Sequence, residues 1–217
     1  MIEWSEIDTV LLDMDGTLLD LHFDSHFWLE HLPRRYVELH QLDEASQDTI
    51  RARIIGEQGT LNWYSLAYWS RELGVDIVAL KREVQHLIGL RGDALDFLTW
   101  LKQAHPRVIL ATNADRASLA LKLPLTGLEN YLDAIISSED VGAAKEEQTF
   151  WSALQALEPF DPARTLFIDD NPHVLASART FGIRYLMGIK QPDSQRPEKA
   201  LEEFVALDRF AQLLPHA

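Results

Sequence analysis

Five short apolar runs stand out along the chain, at residues 9–14, 107–112, 134–137, 165–169 and 184–189. Each is rich in Val, Ile, Leu or Phe. Continuous apolarity over about five residues predicts strands covered on both faces, as in a parallel sheet. Helical spacing fills the gaps among the last four runs. Residues 93–104 carry Leu95, Leu98 and Leu101, with Phe97 and Trp100 beside them. Residues 117–123, 147–157 and 172–181 also read as helices. Strand and helix in repetition predict an α/β fold, a doubly wound parallel sheet with right-handed crossovers.

Residues 21–92 carry no strand pattern. Helices are expected at 24–39, 44–55, 61–73 and 77–87, with breaks near 41–43, 56–59 and 74–76. This predicts a small all-helical unit, 21–92, inserted after the first strand. Residues 1–20 and 93–217 then form the α/β core. The tail is expected to run as a polar loop over 191–199 and an amphipathic helix over 200–214.

Composition narrows the function. The 217 residues carry a net charge of −14 and no cysteine. Thiolate nucleophiles, disulfides and Cys-ligated metals are excluded. An acidic chain lacks the clustered cations that nucleic-acid polymers and anionic membranes require. A small anionic substrate stays open if a metal and a few basic residues make one site positive. Residues 1–8 lack a basic and then apolar leader pattern, and no apolar run approaches the roughly 18 residues of a membrane span. A cytoplasmic monomer is expected.

Four strand-end features carry chemistry. Asp13 and Asp15 close the first strand, where open parallel sheets present their ligand sites. Positions i and i+2 of an extended segment face the same side, so both carboxylates converge and Gly16 lets the chain turn. Paired acids there call for a cation between them, and hard oxygen ligands favour Mg²⁺. Thr112 and Asn113 close the second strand, where a hydroxyl and backbone N–H groups before a helix can hold phosphoryl oxygens; a helix cap is the plainer reading of these two alone. Lys145 follows the third strand. Asp169 and Asp170 close the fourth, and adjacent buried acids are costly without a compensating cation.

In this order, Asp13-x-Asp15-Gly-Thr, Thr112-Asn113, Lys145 and Asp169-Asp170 resemble the haloacid dehalogenase-like (HAD) hydrolase superfamily. The likeness covers the α/β core and makes the helical insertion its cap. Over nearly the whole length the chain is also similar to the superfamily's bacterial GMP/IMP nucleotidases, through residues 9–21, 60–64 and 164–170. The lysine departs from a common pattern: Glu146 follows it, where Pro is frequent. The resemblance implies a Mg²⁺-dependent phosphatase with Asp13 as nucleophile and Asp15 as general acid and base. It implies Thr112, the Asn113 backbone and Lys145 as phosphoryl ligands. Metal ligands would be Asp13, the Asp15 carbonyl and Asp170, with Asp169 close by. The implied substrate is a small phosphate ester, a purine mononucleotide such as GMP or IMP. A phosphoglycolate or sugar-phosphate phosphatase or mutase would use the same core residues, and a non-catalytic phosphoryl-binding protein could share the fold.

Weaker signals remain. The aromatic run 63–69 reads as packing within the helical unit or as a base-stacking platform. Arg51, Arg53 and Arg91 are candidates for positive potential over the site or simple surface residues. His22, His26 and His31 lie close together without an evident further metal ligand. The acidic stretch 133–140 reads as solvated surface.

Overall fold

The computed structural model describes residues 2–104, 106–201 and 203–215; Met1, His105, Glu202, His216 and Ala217 lie outside the described residues. Six strands form one parallel sheet: β1 (Thr9–Leu12), β2 (Arg107–Thr112), β3 (Ala134–Ser137), β4 (Thr165–Asp169), β5 (Tyr185–Ile189) and β6 (Val205–Leu207). Their order is β3-β2-β1-β4-β5-β6. Thr9 of β1 lies opposite Arg107 on one side and Thr165 on the other. The chain thus reverses its winding beside β1, where such sheets open a crevice at their carboxyl ends.

Between β1 and β2 the described residues form no further strand, and the insertion holds α1 (His22–His26), α2 (Leu32–His40), α3 (Ser46–Gly56), α4 (Leu61–Tyr64), α5 (Leu66–Leu73) and α6 (Ile77–Glu83). After them come α7 (Ala94–Ala104), α8 (Arg116–Thr126), α9 (Ser138–Val141), α10 (Gln148–Leu157) and α11 (Pro172–Phe181).

The strand runs look uniformly apolar because both faces are covered. Val10, Leu12, Leu166 and Ile168 pack with α7 and α8 on one face. Leu11 and Phe167, the alternate residues, pack with α10 and α11 on the other. Burying one such side chain contributes roughly 1.5–3 kcal/mol, so helix cover on both faces holds each strand in register.

The insertion has its own apolar cluster, built on Phe23, Phe27, Leu32, Ile54, Trp69 and Leu80, and it reaches the core through Leu121 of α8. Three expected helices differ in detail. Residues 61–73 break at Ser65, whose extended backbone and side chain cap α5 through the Tyr68 N–H. The first helix begins at His22 and passes through a π-type turn, Phe27–His31, before α2. The fourth ends at Glu83 and is followed by a single turn, Gln85–Leu87.

The tail corrects the sequence reading. Residues 200–214 do not form an amphipathic helix. Val205–Leu207 adds a parallel strand to the open edge of β5, and only a short turn, Phe210–Leu213, is helical. The exposed edge of β5 offers unpaired backbone groups, and pairing them outweighs a helical pattern. Gly188 leaves room for the Leu201 side chain beside this join, since a Cβ there would meet Leu201 Cδ1 at 2.6 Å. Phe210 and Leu213 still bury their side chains in the core.

Candidate active site

Asp13 follows β1 directly and donates its N–H to the Ile168 carbonyl at 3.0 Å. Asp169 ends β4, and its Oδ1 accepts the Asn171 N–H at 2.7 Å. Lys145 bridges the two acids, with Nζ 2.5 Å from Asp13 Oδ1 and 2.6 Å from Asp169 Oδ2. Oxygens of Asp13, Asp169 and Asp170 all lie within 4.8 Å of one another, and all three residues are buried. Asp13 Oδ2 has no hydrogen-bond partner among the described residues. Burial pushes the Asp13 carboxyl upward, against the pull of Lys145, and Asp170 adds to the rise. Asp169 is raised well above the ordinary carboxylate range for the same reasons. Burial opposes the Lys145 charge, but Asp13 and Asp169 together hold it above the ordinary lysine range.

Gly16 lets this cluster close. Its φ is +89°, and a Cβ there would lie 2.8 Å from Asp170 Cγ. From the tail loop, Lys199 donates to Asp170 Oδ2 at 3.0 Å.

Asp15 lines the same cleft, but its carboxylate lies outside the three-acid group. Its Oδ1 accepts from Lys122 Nζ at 2.7 Å. Burial pushes the Asp15 carboxyl up to about 6, opposed by Lys122 and reinforced by Asp24. Lys122, Asp24 and Lys81 are absent from the sequence reading. One signal was present: Lys122 is the lone charge in the stretch 117–127, flanked by Leu121 and Leu123.

Thr112 and Asn113 close β2. The Thr112 hydroxyl accepts the Ala114 N–H at 3.0 Å. Asn113 Oδ1 accepts the Lys145 N–H at 2.9 Å, which ties the ends of β2 and the loop after β3 together. Its Nδ2 donates to Glu146 Oε2 at 3.0 Å, and Tyr64 Oη donates to Glu146 Oε1 at 2.8 Å. Glu146 therefore joins the insertion to the core. Burial and then the Glu146 charge hold the Tyr64 hydroxyl above its ordinary value. Asp115 makes a second join, accepting the Leu66 N–H at 2.6 Å while capping α8 through the Ser118 N–H.

A cleft of about 1040 Å³ lies between sheet and insertion, lined by Asp13, Asp15, Thr112, Asn113, Lys145, Asp169 and Asp170 from the core. Trp28 and Trp63 wall it from the insertion, their rings stacked 26° apart in plane. The aromatic run thus divides. Trp69 is fully buried in the insertion's own core, while Trp63 and Tyr64 face the cleft.

None of the other weak candidates lines the cleft. Arg51 pairs with Asp48 and donates to the Leu29 carbonyl at 2.7 Å, and Arg53 pairs with Glu72. Arg91 donates to the Gln191 carbonyl at 2.5 Å and fastens the tail loop. His31 pairs with Glu83 and His26 with Glu30; among the described residues, the histidines form no metal-ligand group. The 133–140 acids are exposed but engaged. Asp133 accepts the Val108 N–H at 2.7 Å, and Asp140 pairs with Arg116.

A family model, haloacid dehalogenase-like hydrolase, matches residues 7–182. The chain is 41% identical to the GMP/IMP nucleotidase of Escherichia coli, over 99% of its own length and 97% of the relative's. It belongs to the HAD-like hydrolase family. It is accordingly an enzyme, a HAD-type phosphatase. A pyrophosphatase of Bacillus pumilus is 25% identical, over 83% of this chain and 82% of the relative. The HAD phosphatase of Thermococcus onnurineus superposes with a TM-score of 0.78 at 20% identity, covering 95% of this chain and 96% of that one. That last likeness concerns the fold. In this chain the candidate residues gather where β1, β2 and β4 end.

Proposed function

We propose that this HAD hydrolase is a Mg²⁺-dependent phosphomonoesterase that works through an aspartyl phosphate on Asp13. Its substrates are purine nucleoside 5′-monophosphates, GMP and IMP among them. The carrying observation is Asp13 Oδ2, a buried and unpartnered carboxylate oxygen within the three-acid cluster. Leaving a buried charged acceptor unmatched is costly, so a bound electrophile or cation belongs there.

The donor set suits Mg²⁺: it is all oxygen, compact and rich in carboxylate. Asp13, Asp170 and the Asp15 carbonyl would hold the ion, with Asp169 beside them. Bound there, Mg²⁺ would offset charge on the phosphoryl oxygens. Asp13 attacks phosphorus, and the bond to the ester oxygen breaks with its electron pair leaving on that oxygen. Asp15 supplies the proton that the departing alkoxide needs. Water then attacks the aspartyl phosphate while Asp15 takes its proton, and phosphate leaves as Asp13 is restored. Splitting the displacement in two is what a nucleophile contributes. Lys145 spends two N–H groups on Asp13 and Asp169, and the third is free for a phosphoryl oxygen. The Thr112 hydroxyl and the Asn113 backbone N–H complete the cradle.

The unit at 21–92 acts as a cap domain over the core formed by 1–20 and 93–217. Trp28 and Trp63 offer a purine base flat apolar surface. The identity with a GMP/IMP nucleotidase over nearly full length supports the same substrate class. The test is phosphate release from a panel of esters with Mg²⁺. GMP and IMP should turn over fastest. Equal or faster turnover of phosphoglycolate or sugar phosphates overturns the nucleotidase assignment, and no release from any ester favours a phosphoryl-binding role.

A further inference from the structure

A buried line of alternating charge runs from Asp15 into the cap. Lys122 Nζ lies 2.7 Å from Asp15 Oδ1 and 2.6 Å from Asp24 Oδ2, and Lys81 Nζ lies 2.5 Å from Asp24 Oδ1. Lys122 is 2% exposed at its side chain and Lys81 is 1%. Lys122 belongs to α8 of the core, whereas Asp24 and Lys81 belong to α1 and α6. The Phe23 ring lies 5.3 Å from one ammonium and 4.8 Å from the other. Lys81 also lies 5.2 Å from the ring of Trp28, which walls the cleft.

Burying an ammonium costs several kcal/mol even after relaxation, and an apolar side chain of similar size is often as stable there. The surroundings of Lys122 on α8 are leucines, so packing alone does not call for a charge. Its bond to Asp15 uses one carboxylate oxygen and leaves Oδ2 for proton exchange.

We propose that Lys122 is a positioning residue for Asp15, fixing that carboxylate's orientation through a contact that Asp24 of the cap completes. This rests on the reading of Asp15 as general acid and base. The acid is then held correctly only while α1 is seated on α8, which couples proton delivery to the cap.

The test compares Lys122→Met and Lys122→Arg on GMP and on p-nitrophenyl phosphate. A nucleoside alkoxide needs a proton to leave, whereas nitrophenolate does not. In Lys122→Met, kcat on GMP should fall roughly 10²-fold, the lower end of what general acid–base catalysis contributes. KM should change far less than kcat, so that the loss falls mainly on the chemical step. Nitrophenolate release in the first turnover should stay within about threefold of wild type, and Lys122→Arg should recover most of the loss on GMP. Equal first-turnover losses on the two esters, or no loss on GMP, would overturn the proposal. Should Lys122→Met not fold, the pair Asp24→Asn with Lys122→Met removes one charge of each sign and must show the same split. Asp13→Asn separates the two readings. Turnover in that variant sinks the phosphatase mechanism, whereas an inactive Asp13→Asn beside a leaving-group-blind Lys122→Met sinks only the role of Lys122.

Discussion

Two lysines flank the Asp13–Asp15 pair, each buried between two aspartates, yet they tie together different parts of the molecule. Lys145 joins Asp13 to Asp169, so all its partners sit at ends of the one sheet. Lys122 joins Asp15 to Asp24, and its second partner comes from the helical insertion. The proposed nucleophile is therefore held by the core alone, while the proposed proton donor is tied to core and insertion together. On the proposed mechanism, attack depends on contacts within the core, and proton transfer depends also on how the insertion sits on α8.

The sharpest way to break this contrast is to remove the nucleophile. Asp13→Asn should leave no measurable phosphate release while its far-UV circular dichroism and melting stay those of a folded chain; retained turnover would end the distinction. Lys145→Met comes next. Taking one partner from a buried ion pair costs about 3–5 kcal/mol, here because Asp13 and Asp169 are left facing each other. In urea titrations the stability gap to wild type should narrow with Mg²⁺ for Lys145→Met and stay the same for Lys122→Met, whose orphaned acids lie outside the three-acid cluster. Identical recovery in both would erase the difference between the two lysines.

The cluster itself gives a third measure. Mg²⁺ at a hundred times its dissociation constant should stabilise the wild type by about 2.7 kcal/mol, and a chelator should remove the gain. Asp170→Asn and Gly16→Ala should both lose that increment in thermal melts, the second because a Cβ would press on Asp170. A smaller effect tests the join between cap and core. Tyr64→Phe removes one hydrogen bond to Glu146 worth about 1 kcal/mol, so KM for GMP should rise about fivefold with kcat nearly unchanged.

The smallest prediction concerns the cap away from the site. Burial holds His31 below its ordinary pKa, against the pull of Glu83. A neutral imidazole is thus favoured in the fold. Its contribution is complete above the ordinary value of about 6.5 and is lost as pH falls through that value toward the folded one. Stability to urea should drop between neutral pH and mildly acid pH, and His31→Gln should flatten that slope.

The same contrast explains what the sequence could say. Asp13, Thr112, Lys145 and Asp169 were legible because each closes or follows an apolar run, and a parallel sheet gathers such ends without further information. Lys122 was not, because a lysine within a helical stretch reads as solvated unless the helix's second face is known to be covered. That cover is the cap, including Phe23, and it lies about a hundred positions away in the chain. The tail failed for a related reason. Residues 200–214 carry a helical spacing, but an unpaired β5 edge, with Gly188 leaving room for Leu201, decides their conformation. Local pattern loses wherever a distant element supplies the stronger partner.

The central place of β1 also shapes how the chain must be made. It is synthesised well before its neighbours, which begin only at residues 107 and 165. Translation at about 5–20 residues per second keeps that Val-Leu-Leu segment without a pairing partner for seconds. The cap helices, whose contacts are nearer in sequence, can gather meanwhile. Synthesis thus delivers the helical insertion before most of the sheet, and the strand that leads into Asp13 is completed only when β4 arrives.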